Sequence, residues 1–279
     1  MEQFKLEIKQ AAKAAWVDLI GFAGRDRFEG LEARRNPFTL FPQGKTAILI
    51  ARRITRGTLR GVEEGSNFGD YGMFGRNWLT DTFINQSTYS LAATIERSGW
   101  EAMPVVPGVR QAVSGVAEPV EPDFKYAAVA CGLGEIGVVG EVLTPQYGPR
   151  QRFALIITDA ELPADPLLDK PVCTRCGRCV AICPLQALDS HWTDVSICGQ
   201  TMPVASCDLS RCAICKNGAI ATGRDSADRL AALCVRTCVD ELGQAGALDN
   251  TFETSFRKRQ AWGKNEFGEA VDIVEGGQA

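Results

Sequence analysis

Cys173-Thr-Arg-Cys176-Gly-Arg-Cys179-Val-Ala-Ile-Cys183-Pro184 is the stretch that decides how this chain is read. Its C-x-x-C-x-x-C-x-x-x-C-P spacing is that of bacterial ferredoxins, in which three thiolates hold one [4Fe-4S] cluster and the fourth reaches a second. A tetrahedral zinc site favours two C-x-x-C pairs and needs neither a third close cysteine nor the Cys-Pro step. The run therefore predicts a ferredoxin-like module with two [4Fe-4S] clusters, and low-potential electron transfer as its work. The remaining ligands must lie downstream, where Cys207, Cys212, Cys215, Cys234 and Cys238 offer more thiols than there are vacancies. Cys234 and Cys238 sit one turn apart on a helix expected to start near Ser226, and their spacing repeats that of Cys179 and Cys183. By that pseudo-symmetry Cys238 completes the cluster of Cys173, Cys176 and Cys179. Cys183 then takes Cys212, Cys215 and Cys234, with Cys207 in reserve. Cys131 and Cys198 read as buried small hydrophobes.

Around this module the chain is long. A length of 279 residues, 45% of them apolar, exceeds what a bare ferredoxin needs, so a sizeable second core is expected. The formal charge of -4 gives no global attraction to nucleic acid, and Arg257, Lys258, Arg259 and Lys264 read as a solvated basic face. The first residues carry no twin-arginine pair and no apolar signal core, and no stretch approaches the roughly 18 apolar residues of a membrane span. A cytoplasmic, soluble protein without a membrane partner is expected. In that setting eleven cysteines point to metal ligation rather than disulfides.

Ahead of the cysteines the pattern is mixed. Phe4, Ile8, Ala11, Ala12 and Ala15 recur at helical spacing, and Val17 to Phe22 reads as a strand. Ala47 to Ala51 has the pattern of a buried strand, whereas the glycine-rich stretch from Gly57 to Gly75 reads as a long loop. Asn77 to Arg97 is expected to be helical, Trp100 to Val106 extended, Phe124 to Cys131 helical before a glycine stop, and Phe153 to Thr158 a strand. The fold class is thus α/β (α+β). Gly132-Leu-Gly134-Glu-Ile-Gly137 matches the dinucleotide fingerprint, but the residues before it read as a helix end rather than a strand. Three prolines between Pro163 and Pro171 mark a boundary. Domains are expected over 1–165, 166–243 and, as a C-terminal extension, 244–279.

The stretch Ala127 to Gly137, then Leu143-Thr-Pro-Gln-Tyr-Gly-Pro-Arg-Gln-Arg152, then Thr158-Asp-Ala-Glu-Leu-Pro163 and the cysteine run, resembles the shared core of reductive dehalogenases and epoxyqueuosine reductases. Gly75-Arg-Asn-Trp78 is similar to a cofactor-domain segment of the reductases, and Asp208-Leu-Ser-Arg-Cys212 to a family step that supports Cys212 as a ligand. The resemblance implies a nitroreductase-like domain holding cobalamin, followed by the two-cluster module. Electrons would pass from a low-potential donor such as ferredoxin or flavodoxin through both clusters to cobalt, and reduce a small organic substrate. Gly132, Gly134 and Gly137 would let backbone approach the macrocycle, with Tyr147, Arg150 and Arg152 beside it.

The sequence also departs from the family. Val138 stands where Lys or Arg is common, and Val106 and Pro107 stand where a proton donor is expected, neither able to donate from its side chain. No helical-repeat extension for holding tRNA follows Cys238, so a tRNA substrate is not expected. Tyr71 and Arg76 are the candidate catalytic pair, a phenol whose proton loss a guanidinium would favour, and Tyr89 is a further polar candidate. His191, the single histidine, reads as a surface residue. The alternatives are a redox service protein that reduces or carries a corrinoid for a partner enzyme, and a flavin or cofactor-free electron carrier.

Overall fold

Ala47-Ile-Leu-Ile-Ala51 carries no polar side chain on either face, and each of its residues is fully buried. Such a run needs cover on both sides, and the first part of the chain supplies it. In a computed structural model that describes residues 1–265 and 267–272, the elements begin with α1 (Glu2–Ala14), β1 (Leu19–Gly24), β2 (Thr46–Arg53), α2 (Arg56–Glu63) and α3 (Ile84–Arg97). There follow β3 (Ala102–Val105), α4 (Phe124–Ala130), β4 (Glu135–Ile136), β5 (Val142–Leu143) and β6 (Gln151–Thr158). The cysteine-rich part holds α5 (Arg178–Ala181), β7 (Leu188–Ile197), β8 (Gln200–Cys207), α6 (Leu209–Ala213), β9 (Ile220–Gly223) and β10 (Ser226–Asp228). It ends with α7 (Leu233–Gln244), β11 (Trp262–Lys264) and β12 (Ala270–Asp272). The class is mixed α/β. Of the extension expected over 244–279, residues 266 and 273–279 lie outside the described residues.

The chain forms two compact units interleaved in sequence. The first takes residues 1–53, 77–133 and 151–169, and is built on a four-stranded antiparallel sheet in the order β1-β2-β6-β3. Thr46 pairs with Thr158 and Arg53 with Gln151, while β3 joins the far side of β6 with Ala102 opposite Thr158. Ile48, Ile50, Ala154 and Ile156 point to one face, where Ile8 and Ala12 of α1 and Ile84, Leu91 and Ile95 of α3 cover them. Alternate residues point the other way, and α4 packs on β2 and β6 there. α4 is capped by Asp123, which accepts from the amides of Lys125 and Tyr126. It stops at Cys131 and Gly132, the latter at φ +70°, where a side chain would also strike the Pro166 carbonyl.

The second unit takes residues 54–76, 134–150 and 170 onward. Its core, Val138, Val139, Leu188, Ala205, Ala232 and Val235, includes Cys179 and Cys234. Here the structure corrects three sequence expectations. The Gly57–Gly75 loop contains α2, which buries Thr58, Leu59, Val62 and Glu63, and a π-helical turn begins at Tyr71. Glycine content masked an apolar face that packing on α7 stabilises. The helix carrying Cys234 starts at Leu233, because Ser226–Asp228 pairs antiparallel with β9 instead. Cys198 is not buried but forms, with Gly199, the two-residue turn of the β7–β8 hairpin; both have positive φ, as that turn type demands. Cys131 is fully buried as expected.

A buried ion triad ties α2 to α7. Glu63 accepts from Arg236 Nε at 2.7 Å and from Arg257 Nε at 2.6 Å, and none of the three side chains is more than 10% exposed. Burial alone would raise the Glu63 pKa, but the hydrogen bonds and charges of Arg257 and Arg236 outweigh it and hold the carboxyl below its ordinary value. With the folded value depressed, this stabilisation is complete above the unfolded value of about 4.3 and is lost as pH falls through the folded one. We predict that Glu63→Ala, which strands two buried guanidinium groups, costs about 3–5 kcal/mol in chemical denaturation at pH 7. The gap between wild type and variant should narrow below about pH 4; a gap independent of pH would refute the linkage.

Candidate functional site

Cys173 and Cys176 lie on the loop entering α5, Cys179 lies on α5, and Cys238 lies on α7. These four sulfurs line one cavity with Val138, Val139, Leu143, Gly177 and Leu242. Gly177, between the second and third cysteines, has φ +73°, the left-handed geometry that turns the loop into α5 at little cost. Glu135 fixes the start of the loop: its Oε1 accepts from the backbone amides of Val172 at 2.6 Å and Cys173 at 2.5 Å, in a buried setting. Arg178 Nη1 reaches Glu241 Oε1 at 2.8 Å and ties α5 to α7 beside the cavity.

One turn back on α7 lies Cys234. Its thiol feels the charges of Cys183, Cys179 and Cys215, and Cys212 in turn feels that of Cys234. Cys212 lies on α6, whose cap Asp208 accepts from the amides of Ser210 and Arg211. Cys183 Sγ accepts from the Ala187 amide at 3.3 Å and Cys215 Sγ from that of Asn217 at 3.4 Å, as thiolates near a cluster commonly do. Cys207 ends β8 with its sulfur 3.5 Å from that of Cys212. Arg229, 4% exposed, donates to Cys207 Sγ at 2.5 Å and pairs with Glu141 at 3.2 Å.

Electrostatics shows what such gatherings require. Burial, then the charges of Cys173 and Cys176, push the Cys179 thiol up to about 12, and burial pushes Cys234 up to about 12. Cys238 is also raised by burial and by the three cysteines of its own cavity. Cys207 alone among these is lowered, to about 6, by a hydrogen bond from Cys212 and by Arg229. Crowded buried thiols therefore stay protonated until a cation arrives, and metal binding must release those protons. Among the described residues no three His, Cys, Asp or Glu side chains converge on a single-ion position. A cube of four irons spreads its ligands over four corners, and the donor set of four cysteines around one cavity fits that larger group.

The other residues named from sequence fall elsewhere. Tyr71 and Arg76 do come together, but on a carboxylate: Tyr71 Oη donates to both oxygens of Asp228 at 3.3 Å, and Arg76 Nε lies 3.4 Å from Oδ2. Tyr71 is 1% exposed, and the place of a Cβ on Gly75 is filled by its ring. Arg150 is fully buried, donating to the Ile54 carbonyl and to Asn250 Oδ1, with Tyr147 and Phe252 rings nearby. It lines a cavity of about 370 Å³ together with Arg56 and Phe256. Arg152 lies on β6, in the first unit. A Cβ on Gly134 would meet the Leu143 carbonyl, and one on Gly137 the Leu143 side chain, so both glycines serve the β4–β5 hairpin. Tyr89 is exposed on α3, and His191 is 95% exposed on β7. Glu135, Asp228 and Arg229 went unnoticed in the sequence; only Glu135, framed by the glycines, carried a signal.

Comparison with known proteins places this arrangement. No family model matches the chain. A tetrachloroethene reductive dehalogenase of Desulfitobacterium hafniense is 32% identical over 112 residues, covering 39% of this chain and 18% of the dehalogenase. An epoxyqueuosine reductase of Bacillus cereus is 26% identical over 220 residues, covering 67% of this chain and 53% of the reductase. A solved reductive dehalogenase superposes at a TM-score of 0.55 and 17% identity, over 90% of this chain and 32% of that one, which is a likeness of fold. The homologues of this chain are thus oxidoreductases. They are the reductive dehalogenases and epoxyqueuosine reductases that its sequence resembles. The chain spans about half the length of the epoxyqueuosine reductase and about a fifth of the dehalogenase. No helix among the described residues is long and apolar enough to cross a membrane.

Two predictions follow the geometry. Glu135→Ala removes the acceptor of two amides and should cost about 1–3 kcal/mol for each group left unsatisfied, read as a lower midpoint in chemical denaturation; an unchanged midpoint would refute this. Thiols whose folded pKa is raised stabilise the metal-free fold fully below the unfolded value of about 8.5, and lose that contribution as pH rises toward about 12. The melting temperature of metal-free protein should therefore fall between pH 8 and pH 10, and one that stays level over that range would refute the linkage.

Proposed function

We propose that this chain is an iron–sulfur reductase that carries electrons through two [4Fe-4S] clusters to reduce a small organic molecule. The observation that supports it is the pairing of thiols across α7. Cys173, Cys176, Cys179 and Cys238 share one cavity, and Cys183, Cys212 and Cys215 gather near Cys234, a single turn away on the same helix. In this reading the first four hold one cluster and the latter four the other. Adjacent cysteines on one helix keep the two clusters close, which suits successive one-electron steps. A ferredoxin or flavodoxin is the fitting class of donor. The unit of residues 1–53, 77–133 and 151–169 would be the nitroreductase-like part, and the unit that carries the cysteine run the ferredoxin-like part, so the boundary expected at 165 is replaced by interleaved segments.

Cobalamin is the terminal cofactor that the resemblance implies, and when bound it would supply a strongly reducing metal. The second-unit residues named for it do not by themselves build a corrinoid cradle: Gly134 and Gly137 face Leu143, and Arg150 is enclosed by its own chain. His191 stands on an exposed hairpin strand beside Asp189, and no part in holding a corrinoid is proposed for it.

Anaerobically isolated protein should contain about eight irons per chain, as two cubane clusters require. Cys238→Ser should damage the cluster of Cys173, Cys176 and Cys179 and leave the other largely intact; damage confined to the other cluster would show the pairing to be wrong. Cobalamin added to reduced protein should give the same Co(II) resonance in wild type and His191→Ala. Nitrogen splitting lost in the variant would overturn that reading, and no corrinoid binding at all would remove cobalamin from the proposal. Turnover with a chemical reductant, offered halogenated aromatics alongside an epoxyqueuosine tRNA stem loop, separates a small-molecule reductase from a tRNA enzyme. Turnover of neither, with transfer of reduced corrinoid to a second enzyme, would favour a redox service protein.

A further inference from the structure

The second thiol group holds one sulfur more than a cubane can use. We infer that Cys207 and Cys212 are alternative ligands for the same iron of the second cluster, an inference that rests on the two-cluster reading above. Their sulfurs are 3.5 Å apart. A metal–thiolate bond is about 2.3 Å long, so spheres of that radius around the two sulfurs overlap, and one iron position lies within bonding distance of either. Exchange needs a small side-chain adjustment and no refolding, since Cys207 ends β8 and Cys212 sits on the short helix that follows within a few residues.

The two sulfurs are held in different surroundings, which gives the exchange a consequence. Arg229 donates to Cys207 at 2.5 Å and is anchored by Glu141 at 3.2 Å and by the Val139 carbonyl. The charge of Arg229 is felt by Cys212 as well, but its hydrogen bond goes to Cys207, and Cys212 has Cys207 itself as its sulfur neighbour. Hydrogen bonds to cluster sulfurs, and positive charge beside them, raise the reduction potential. The cluster therefore has two settings, a higher potential with Cys207 bound and a lower one with Cys212 bound. In the exchange one iron–sulfur bond forms as another breaks, the proton of the incoming thiol passes to the outgoing thiolate, and no electron moves.

The test uses the full chain, purified anaerobically, as Cys207→Ala, Cys212→Ala and the double variant. Each single variant should keep the wild-type iron content of about eight, and the double variant should fall to about four. The resonance of the first cluster, retained in all three, reports that the fold survives. Potentiometric titration should place the second cluster higher in Cys212→Ala, where only Cys207 can bind, than in Cys207→Ala. Loss of a cluster from either single variant would make that cysteine obligatory and end the inference, as would eight irons in the double variant. Equal potentials in the two singles would overturn the role given to Arg229. Wild-type protein with only four irons would instead bring down the two-cluster reading itself.

Discussion

Thiolates brought together in a dry interior repel one another and lose their water, and the second unit is organised around that cost. The raised pKa values of Cys179 and Cys234 are its direct expression. Without a metal the thiols of Cys179 and Cys234 stay protonated, and with one the cation supplies the attraction. The scaffold must therefore hold the sulfurs in place on its own. Glu135 anchors the loop of Cys173, Arg178 joins α5 to α7, and the Glu63 triad fixes α7 against α2. Glu135 and Glu63 do so through charged hydrogen bonds, and Arg178 through an ion pair.

α7 is the element that links the two thiol groups. Residues four apart on a helix share a face one turn apart, so Cys234 and Cys238 can each serve a different group while remaining neighbours. Val138 and Val139 separate the first cavity from the surroundings with apolar surface. Low dielectric around a cluster is one of the levers by which a protein sets its potential.

Much of this was legible in the sequence, where periodicity is strong. The buried strand at Ala47–Ala51, the helix at Phe124 with its glycine stop, and the strand ending at Thr158 lie where their patterns put them. Short or glycine-laden elements were not legible. α2 hides its apolar face among glycines, and β10 replaces the start of a helix because a two-strand pairing with β9 outweighs local propensity. Cysteine spacing named the thiols, but nothing in it could reveal that Arg229 reaches Cys207 from another part of the chain. Tyr71 and Arg76 come together on a carboxylate, Asp228, which lies far along the sequence and had no signal of its own.

The order β1-β2-β6-β3 has a consequence for how the chain is made. β6 occupies the centre of the first sheet but is its last strand to leave the ribosome. Until Gln151–Thr158 appears, the open edge of β2 has no partner, and β3 has nothing to join. For the time needed to synthesise about a hundred residues, at roughly 5–20 residues per second, an apolar strand edge of the kind that invites aggregation stays exposed. The first unit can close only after the β4–β5 segment, which belongs to the second, has already been synthesised. The sheet can therefore close only once residue 158 has been made, and the cysteine run is the next segment to emerge.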